Sequence, residues 1–191
     1  MKKIISTAAL LLTCATMILT SLPASASTSA ADPVPSLSDV VGARGDVSAA
    51  AAVCDTVTIT SLANSRLVSA EFGWSGDGYG MLRARATAVG PWEKFYVCFG
   101  GSFDTIQSLE TGDFVSAELG RGGDDYGMLR ARDTALGPWE KFRIASCGSG
   151  CVTIRSLAND RLVSAELGYS GDRVGMLRAR ATTVGPWERF H

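Results

Sequence analysis

Three glycine-rich segments carry the residues that are best suited to chemistry in this chain. Each contains an aspartate among glycines, with an aromatic residue on one or both sides of it. These residues are Trp74, Asp77, Tyr79, Asp124, Tyr126, Tyr169 and Asp172. An exposed aromatic ring stacks on the apolar face of a sugar, and a neighbouring carboxylate accepts hydrogen bonds from sugar hydroxyls. The pattern therefore predicts ligand-binding loops for carbohydrate, and the structural alternative is an aspartate that caps a glycine-rich turn.

Two further sets of polar residues recur around these segments. A glutamate precedes each glycine-rich run, and two arginines separated by one residue follow it. The residues are Glu71, Glu118 and Glu166, then Arg83 with Arg85, Arg130 with Arg132, and Arg178 with Arg180. If the flanking segments pair as an antiparallel hairpin, each glutamate meets an arginine across the ladder. We therefore predict ion pairs that hold the hairpins in register rather than ligand-binding groups.

The other residue types offer little to catalysis. The single histidine is His191, and the sequence has no nucleophile elbow, zinc-binding helix motif or phosphate-binding loop. Glycoside hydrolysis needs two carboxylates with distinct roles, whereas the acidic residues here recur in every copy as pairing or turn residues. The sequence therefore predicts a protein that is not an enzyme, with no catalytic residue, no metal site and no cofactor.

The charge balance argues against nucleic acid as a partner. The chain has 18 lysines and arginines against 19 aspartates and glutamates, a net charge of −1. The arginines stand at regular intervals rather than in a run, so they form no stripe that would follow a phosphate backbone.

The N-terminal region has the composition of an export signal. Lys2 and Lys3 precede an apolar stretch, which ends in the small residues 24–26. We therefore predict a signal peptide over residues 1–26 and a secreted, extracellular protein. No later segment is apolar enough to span a bilayer, so no membrane contact is expected after cleavage. Residues 27–53 are rich in Ala, Ser and Pro, which predicts a flexible leader.

Four cysteines follow the predicted cleavage site: Cys54, Cys98, Cys147 and Cys151. An even number in an exported chain predicts two disulfides, and four cysteines allow three pairings. Two glycines lie between Cys147 and Cys151 and would let the chain turn back tightly. We therefore favour a bond between these two, which leaves Cys54 to pair with Cys98.

Residues 54–191 consist of one unit that occurs three times. The copies contain "GMLRARATAVGPWEKF", "GMLRARDTALGPWEKF" and "GMLRARATTVGPWERF". Equivalent residues are 47 and then 48 positions apart, which divides the domain at about 54–100, 101–148 and 149–191. In the third copy, β-branched residues and alternating polarity predict strands over 152–157, 161–166, 176–181 and 188–191. Each unit is thus predicted to be all-β, with four short strands.

A single four-stranded unit would leave two strand edges and an apolar face uncovered. Closure of three units into a ring removes these edges. The predicted fold is a β-trefoil of twelve short strands, six in a barrel and six in hairpins that cap one end of it. Its predicted core has six apolar positions per unit, occupied in the first by Ile59, Leu62, Val68, Leu82, Trp92 and Phe95. Trp92, Trp139 and Trp187 are expected to fill the core or the floor of the barrel.

The repeated pattern resembles the fascin-like repeat. The likeness is carried by "NSRLVSAE", the strand "GMLRARA" and, above all, "GPWE" followed two residues later by Phe, and it covers nearly all of residues 54–191. It implies a β-trefoil and an actin-binding or actin-bundling role. Fascin itself has four trefoils, whereas this chain has one. The chain also resembles domains that are attached to secreted bacterial glycan-degrading enzymes.

Three functional hypotheses follow from these observations. The first is a non-catalytic module that binds extracellular polysaccharide through the hairpin tips. The alternative is a protein-binding module, whose partner would be actin or an extracellular hydrolase that it inhibits. A structural component of the cell surface, with no ligand, is the third.

Overall fold

The computed structural model describes residues 33–44 and 52–191. The predicted signal peptide lies outside the described residues. The fold is all-β, as predicted, and twelve strands account for most of the part of the chain that the structure describes. The strands are β1 (Val53–Val57), β2 (Thr60–Ser61), β3 (Arg66–Glu71), β4 (Met81–Ala86), β5 (Phe95–Phe99), β6 (Asp104–Ser108), β7 (Phe114–Glu118), β8 (Met128–Asp133), β9 (Phe142–Gly148), β10 (Cys151–Ser156), β11 (Arg161–Glu166) and β12 (Met176–Ala181).

The first and last strands of the units form a closed barrel. β5 pairs with β1 and β6, and β9 pairs with β6 and β10, all antiparallel. Phe190 closes the ring because it bridges Val152 of β10 on one side and Ser61 of β2 on the other. The remaining strands form three hairpins, β3–β4, β7–β8 and β11–β12. We call these three hairpins the hairpin cap. This arrangement confirms the predicted β-trefoil.

The fourth strand of the third unit differs from the prediction. Residues 186–188 form a 3₁₀ turn, and only the bridges at Phe190 remain of the strand predicted over 188–191. Thr58, further along the same barrel edge, pairs instead with an N-terminal segment, because its amide donates to Pro35 O and its carbonyl accepts from Leu37 N, both at 2.9 Å. The twelfth strand is counted because the first strand is divided into β1 and β2.

The N-terminal segment is therefore not a flexible leader throughout. Residues Leu37–Arg44 form helix α1, and Leu37 is fully buried in the core of the trefoil. The Ser36 hydroxyl accepts from the amide of Asp39, and the Asp39 carboxylate accepts from the amide of Ser36. This reciprocal capping box begins the helix. The Arg44 guanidinium lies 4.0 Å from the centre of the Phe99 ring, so both ends of the helix are held.

Four of the six predicted core positions are confirmed. Ile59, Val68, Leu82 and Phe95 are at most 1% exposed, and so are their counterparts in the other two units. Branched and aromatic side chains from all three units thus meet inside the barrel and beneath the cap. Such burial contributes roughly 1.5–3 kcal/mol for each large side chain.

The other two predicted core positions are wrong. The first is the leucine after the first strand, which is 44% exposed at Leu62, with similar values at Leu109 and Leu157. The second is the tryptophan, since Trp139 and Trp187 are each 38% exposed and Trp92 is half-buried. In the Gly-Pro-Trp-Glu turn it is the glutamate that points inward. Glu93 is buried, and its carboxylate accepts from the amide of Gly90 at 2.7 Å, so the tryptophan is left outside.

Both favoured disulfides are present. Cys54 in β1 lies directly opposite Cys98 in β5 and is bonded to it, and Cys147 is bonded to Cys151 across the turn between β9 and β10. Disulfides persist in oxidising compartments, which is consistent with an exported protein.

Candidate functional site

The tips of the three hairpins meet around the pseudo-three-fold axis. Each tip contains a short 3₁₀ turn, at Gly76–Gly78, Gly123–Asp125 and Gly171–Arg173. The glycine after each turn accepts a hydrogen bond from the neighbouring hairpin, as from Ala131 N to Gly80 O at 2.7 Å. Gly80 has φ +74°, and a Cβ there would lie 2.2 Å from Ala131 O. Only glycine permits this approach.

A buried arginine from each hairpin holds the tip of its neighbour. Arg130 Nε donates to Tyr79 O at 2.8 Å, and Arg178 Nε donates to Tyr126 O at 3.0 Å. Arg83 closes the ring, because its Nε donates to Val174 O at 3.1 Å. Burial lowers the pKa of Arg83 and of Arg130, yet arginine remains charged. These guanidinium groups therefore join the three tips into one surface.

The second arginine of each pair forms the predicted ion pair. Arg85 Nη2 lies 2.7 Å from Glu71 Oε2, and the pairs Arg132–Glu118 and Arg180–Glu166 are equivalent. The glutamates are buried and the arginines are about half-exposed. The hydrogen bond that each arginine donates to its glutamate raises the pKa of Arg85 and of Arg180. The prediction of pairs across each hairpin is confirmed, and one arginine of each two makes them.

Two of the three tip aspartates contact the neighbouring hairpin rather than their own. The first glycine-rich segment predicts one ligand-binding site made of Trp74, Asp77 and Tyr79. Instead, Asp77 accepts from Arg121 Nη2 of the second hairpin at 2.9 Å, and this hydrogen bond lowers the pKa of Asp77. Asp124 accepts from the Tyr169 hydroxyl of the third hairpin at 3.0 Å. The residue at the position of Trp74 is thus the partner of the aspartate in the preceding hairpin.

The remaining predicted residues are exposed in the cap. Tyr79 and Tyr126 are 38% and 39% exposed, and the Tyr79 ring packs edge-on against Phe72 at 5.3 Å. Asp172 is exposed, and none of the described residues forms a hydrogen bond or an ion pair with its carboxylate. Trp74 is 36% exposed. Its indole packs on Gly78, where a Cβ would lie 3.3 Å from Trp74 Cε3.

Clefts beside the turn tryptophans were not predicted from the sequence. Each ring lies over the glycine at the base of its hairpin, since a Cβ on Gly73 would lie 3.3 Å from Trp92 Cη2. In the third unit this places the exposed ring at the edge of a cleft of about 230 Å³. The cleft is lined by Glu166, Gly168, Tyr169, Arg180 and Trp187. A second cleft of about 380 Å³, in the first unit, includes Arg85, Trp92 and Glu93.

The signal for these clefts was present in the sequence. The tryptophan and the second arginine recur in every unit, and this repetition favoured an architectural role for both. Tyr169 is the one predicted binding residue that lines the cleft of the third unit. The structure thus places Tyr169, a predicted binding residue, in the same cleft as Trp187, a predicted core residue.

Asp104 is a buried carboxylate in the barrel and lines neither of these clefts. It is 2% exposed and accepts from the amides of Gly100 and Ile144. Burial raises its pKa. Because both carboxylate oxygens accept hydrogen bonds from backbone amides, the role of Asp104 is to pair these buried amides of the barrel and not to bind a ligand.

Within residues 33–44 and 52–191, no cluster of three His, Cys, Asp or Glu side chains is placed to bind a metal ion. Over the same ranges, none of the helices has the length and apolar character that crossing a membrane requires.

Comparison with known proteins identifies the fold. No protein-family model matches the chain, and no curated protein matches it in sequence. Among solved structures, the designed three-fold symmetric protein ThreeFoil is similar, with a TM-score of 0.59 and 12% identity over 71% of this chain and 95% of that protein. The exo-β-1,3-galactanase of Clostridium thermocellum is also similar, and the match spans only 28% of its length.

Two natural single-domain proteins match over most of their length. A ricin B-like lectin of Macrolepiota procera, solved with lactose, has a TM-score of 0.53 and 15% identity over 71% of this chain and 92% of the lectin. A proteinase inhibitor of Coprinopsis cinerea has a TM-score of 0.55 and 12% identity over 72% of this chain and 95% of the inhibitor. At such low identity these likenesses establish architecture alone. The chain has the β-trefoil fold.

Proposed function

We propose that this protein is a secreted, non-catalytic module that binds extracellular carbohydrate through the hairpin cap and the clefts beside it. The observation that carries the proposal is the cleft of the third unit, where Tyr169 and Trp187 lie beside the Glu166–Arg180 pair. Aromatic walls with a few convergent polar groups are typical of small-ligand sites. The lactose-bound trefoil lectin is consistent with this function.

The exposure of the turn tryptophans supports the same proposal. When a large apolar residue is repeated in all three units and is buried, its packing in the barrel is a sufficient reason for the repetition. Trp139 and Trp187 are repeated but exposed, so packing accounts for only part of each ring. Two clefts, one in the first unit and one in the third, would let weak single-site affinities combine on a polymer.

The proposal includes no catalytic step. The glutamate of each hairpin is bound by an arginine, so its oxygens are already engaged within the protein. A general acid needs a carboxylate that is protonated at neutral pH and faces the ligand. Asp104, whose pKa is raised, binds backbone amides in the barrel instead.

Retention on polysaccharides tests the proposed function. The secreted protein would be incubated with insoluble galactans, glucans and chitin and applied to a glycan array. We expect retention on at least one glycan, with no release of reducing sugar. The variant Trp187→Ala should weaken retention about tenfold. Val53→Ala, an exposed apolar residue of β1, is the matched control and should bind like the wild type.

Failure to bind any glycan on the array or in the pull-down would refute the carbohydrate proposal. Release of soluble sugar by the pure protein would refute its non-catalytic part. Detection of the mature N-terminus in culture medium, by mass spectrometry, tests the proposed export signal.

A protein partner is the second candidate function. Leu109 is 48% exposed, and its amide is tied to Lys94 O at 3.0 Å, so the backbone holds an apolar side chain outward. The equivalent leucines do the same in the other units. The fascin-like resemblance makes filamentous actin one partner to test, and the Coprinopsis inhibitor makes an extracellular hydrolase another. Co-sedimentation with actin filaments and proteinase inhibition, each with Leu109→Ala as a variant, separate this candidate from the first.

A further inference from the structure

The Tyr169 hydroxyl links two charged groups at the junction of the second and third hairpins. It donates to Asp124 Oδ1 at 3.0 Å and accepts from Arg178 Nη1 at 2.7 Å. Burial raises the pKa of Tyr169, and the hydrogen bond to Asp124 adds to this effect. The hydroxyl therefore stays protonated, and it forms one hydrogen bond with the carboxylate and another with the guanidinium.

The junction of the third and first hairpins has the same two charged groups but no hydroxyl. Asp172 is the equivalent of Asp124, and Arg83 is the equivalent of Arg178. Trp74 takes the place of Tyr169, and the guanidinium carbon of Arg83 lies 6.0 Å from the centre of its ring. Arg83 also donates to Gly171 O and Val174 O, on either side of Asp172. An indole has an N–H donor and no hydroxyl, so Trp74 cannot link the pair.

Both charged groups lack the partner that Tyr169 provides elsewhere. Within the described part of the chain, no residue donates to the Asp172 carboxylate and none accepts from Arg83 Nη1. Arg83 is 94% buried, since only 6% of it is exposed. Arg83 Nη1 is not among the buried atoms that lack a partner, so water reaches it and a ligand acceptor can take the place of that water.

The other two junctions are occupied by protein side chains. At the first, Arg121 donates to Asp77 at 2.9 Å. At the second, Arg173 pairs with Asp125 at 3.0 Å beside the Tyr169 hydroxyl. Gly78, the first-hairpin equivalent of Asp125 and Arg173, has no side chain to do the same. Among the three junctions, all within the described residues, the one at Trp74 is thus the one where no protein side chain binds the tip aspartate.

We propose that Trp74, Asp172 and Arg83 form a single pyranose site, in which a ligand hydroxyl takes the role that the Tyr169 hydroxyl has at the neighbouring junction. This inference rests on the proposed carbohydrate function and makes the three units unequal. The hydroxyl donates to Asp172 and accepts from Arg83, while the apolar face of the ring stacks on the exposed part of Trp74.

The ligand class follows from the charges. The exposed carboxylate of Asp172 repels an acidic group, and the Arg83 guanidinium is committed to backbone carbonyls on two of its nitrogens. A neutral pyranoside with an apolar face and adjacent hydroxyls therefore fits better than a uronate.

A pair of variants that differ by one hydroxyl tests the inference. Trp74→Tyr adds the group that Tyr169 supplies, so the protein would occupy its own site, whereas Trp74→Phe keeps an aromatic ring without a hydroxyl. The probes are methyl β-D-galactopyranoside, methyl β-D-glucopyranoside and methyl β-D-glucuronide, measured by saturation-transfer NMR and calorimetric titration. We expect Trp74→Tyr to bind the neutral glycosides at least about tenfold more weakly than Trp74→Phe. The glucuronide should bind more weakly than either neutral glycoside.

Asp172→Asn tests the same site independently. It should weaken binding of the neutral glycosides about as much as Trp74→Tyr does. Asp160→Asn makes the same charge change at an exposed turn outside the cap and should bind like the wild type. Thermal melts of all four variants show that each is folded, and Trp74→Tyr should melt no lower than Trp74→Phe.

The outcomes separate this inference from the proposed function. Equal affinity of the Tyr and Phe variants, with the wild type binding the same glycosides, would overturn the junction site and leave the clefts as the binding surface. Preferential binding of the glucuronide would overturn the neutral ligand class. If the wild type is retained by no glycan in the pull-down or on the array, the proposed function fails and the junction site fails with it.

Discussion

The barrel and the hairpin cap use the same three-fold repeat in opposite ways. In the barrel, Phe95, Phe142 and Phe190 are identical and fully buried, so each unit contributes the same side chain to one core. In the cap the backbone is repeated, with the same turn and the same glycine at each tip, but the side chains facing the junctions differ. Repeated residues that are buried therefore indicate a role in the architecture. Positions at which the three copies differ indicate where a ligand could bind one unit and not the others.

The largest effect is expected where a barrel residue is removed. Phe142→Ala deletes a fully buried ring and should lower the free energy of unfolding by about 3–5 kcal/mol. Leu109→Ala, at a position that is equally repeated but 48% exposed, should cost less than about 1 kcal/mol. Urea unfolding measures both. Similar losses for the two variants would break the distinction between buried and exposed repeats.

The next effect concerns the tip-to-tip contacts of the cap. Gly127 has φ +75°, and a Cβ there would lie 2.6 Å from Ala179 O. Gly127→Ala should therefore destabilise the protein by about 2–4 kcal/mol, because the chain must both strain and separate the hairpins. Gly123→Ala, with φ +59° and open space around it, should cost about 1 kcal/mol. Equal melting temperatures for the two variants would show that the tips do not need to touch.

A smaller effect is expected for the turn tryptophan. Trp139→Ala removes a ring that is 38% exposed and packs over Gly120, so we expect a loss of about 1–2 kcal/mol, well below that of Phe142→Ala. Chemical unfolding of the two variants in parallel gives the comparison. If Trp139→Ala lowers the free energy of unfolding as much as Phe142→Ala does, the tryptophan is a core residue after all.

The smallest effect is a pH dependence at the first junction. Arg121 holds the pKa of Asp77 below its ordinary value, so the folded state favours the carboxylate. The stability from this pair is present above the ordinary aspartate pKa of 3.8 and is lost as the pH falls through the lowered value. Asp77→Asn should thus narrow the difference in melting temperature between about pH 6 and pH 2. An unchanged difference would show that solvent screens the contact, as it does for many exposed pairs.

Local pattern was sufficient to predict most of the architecture. The period of the repeat, the alternation of apolar residues and the turn glycines predicted all-β units, and three strands of the third unit lie within one residue of their predicted bounds. A glutamate–arginine pair within each hairpin was also predictable, although the strand register places Met81 opposite Glu71 and Arg85 reaches the glutamate from further along its strand. The short loop between Cys147 and Cys151 limited the disulfide pairing.

Two local signals were present but insufficient. Ser36 and Asp39 have the spacing of a capping box, yet a helix of eight residues forms only because Leu37 finds a place in the core. In the Gly-Pro-Trp-Glu turn, hydrophobicity favoured a buried tryptophan. The inward amide of Gly90 required an acceptor, and Glu93 provides it, so a hydrogen bond decided which side chain faces the solvent.

The sequence by itself determined the repeated unit, its strands, and the buried side chains that make closure favourable. Only the tertiary structure decided which aspartate is left for a ligand, because the partners of Asp77 and Asp124 come from hairpins 44 and 45 residues further along the chain. Closure around the axis brings each tip beside its neighbour. Identical aspartates therefore acquire different surroundings: Arg121 meets the first, Tyr169 meets the second, and Trp74, which has no hydroxyl, stands in the equivalent position beside the third.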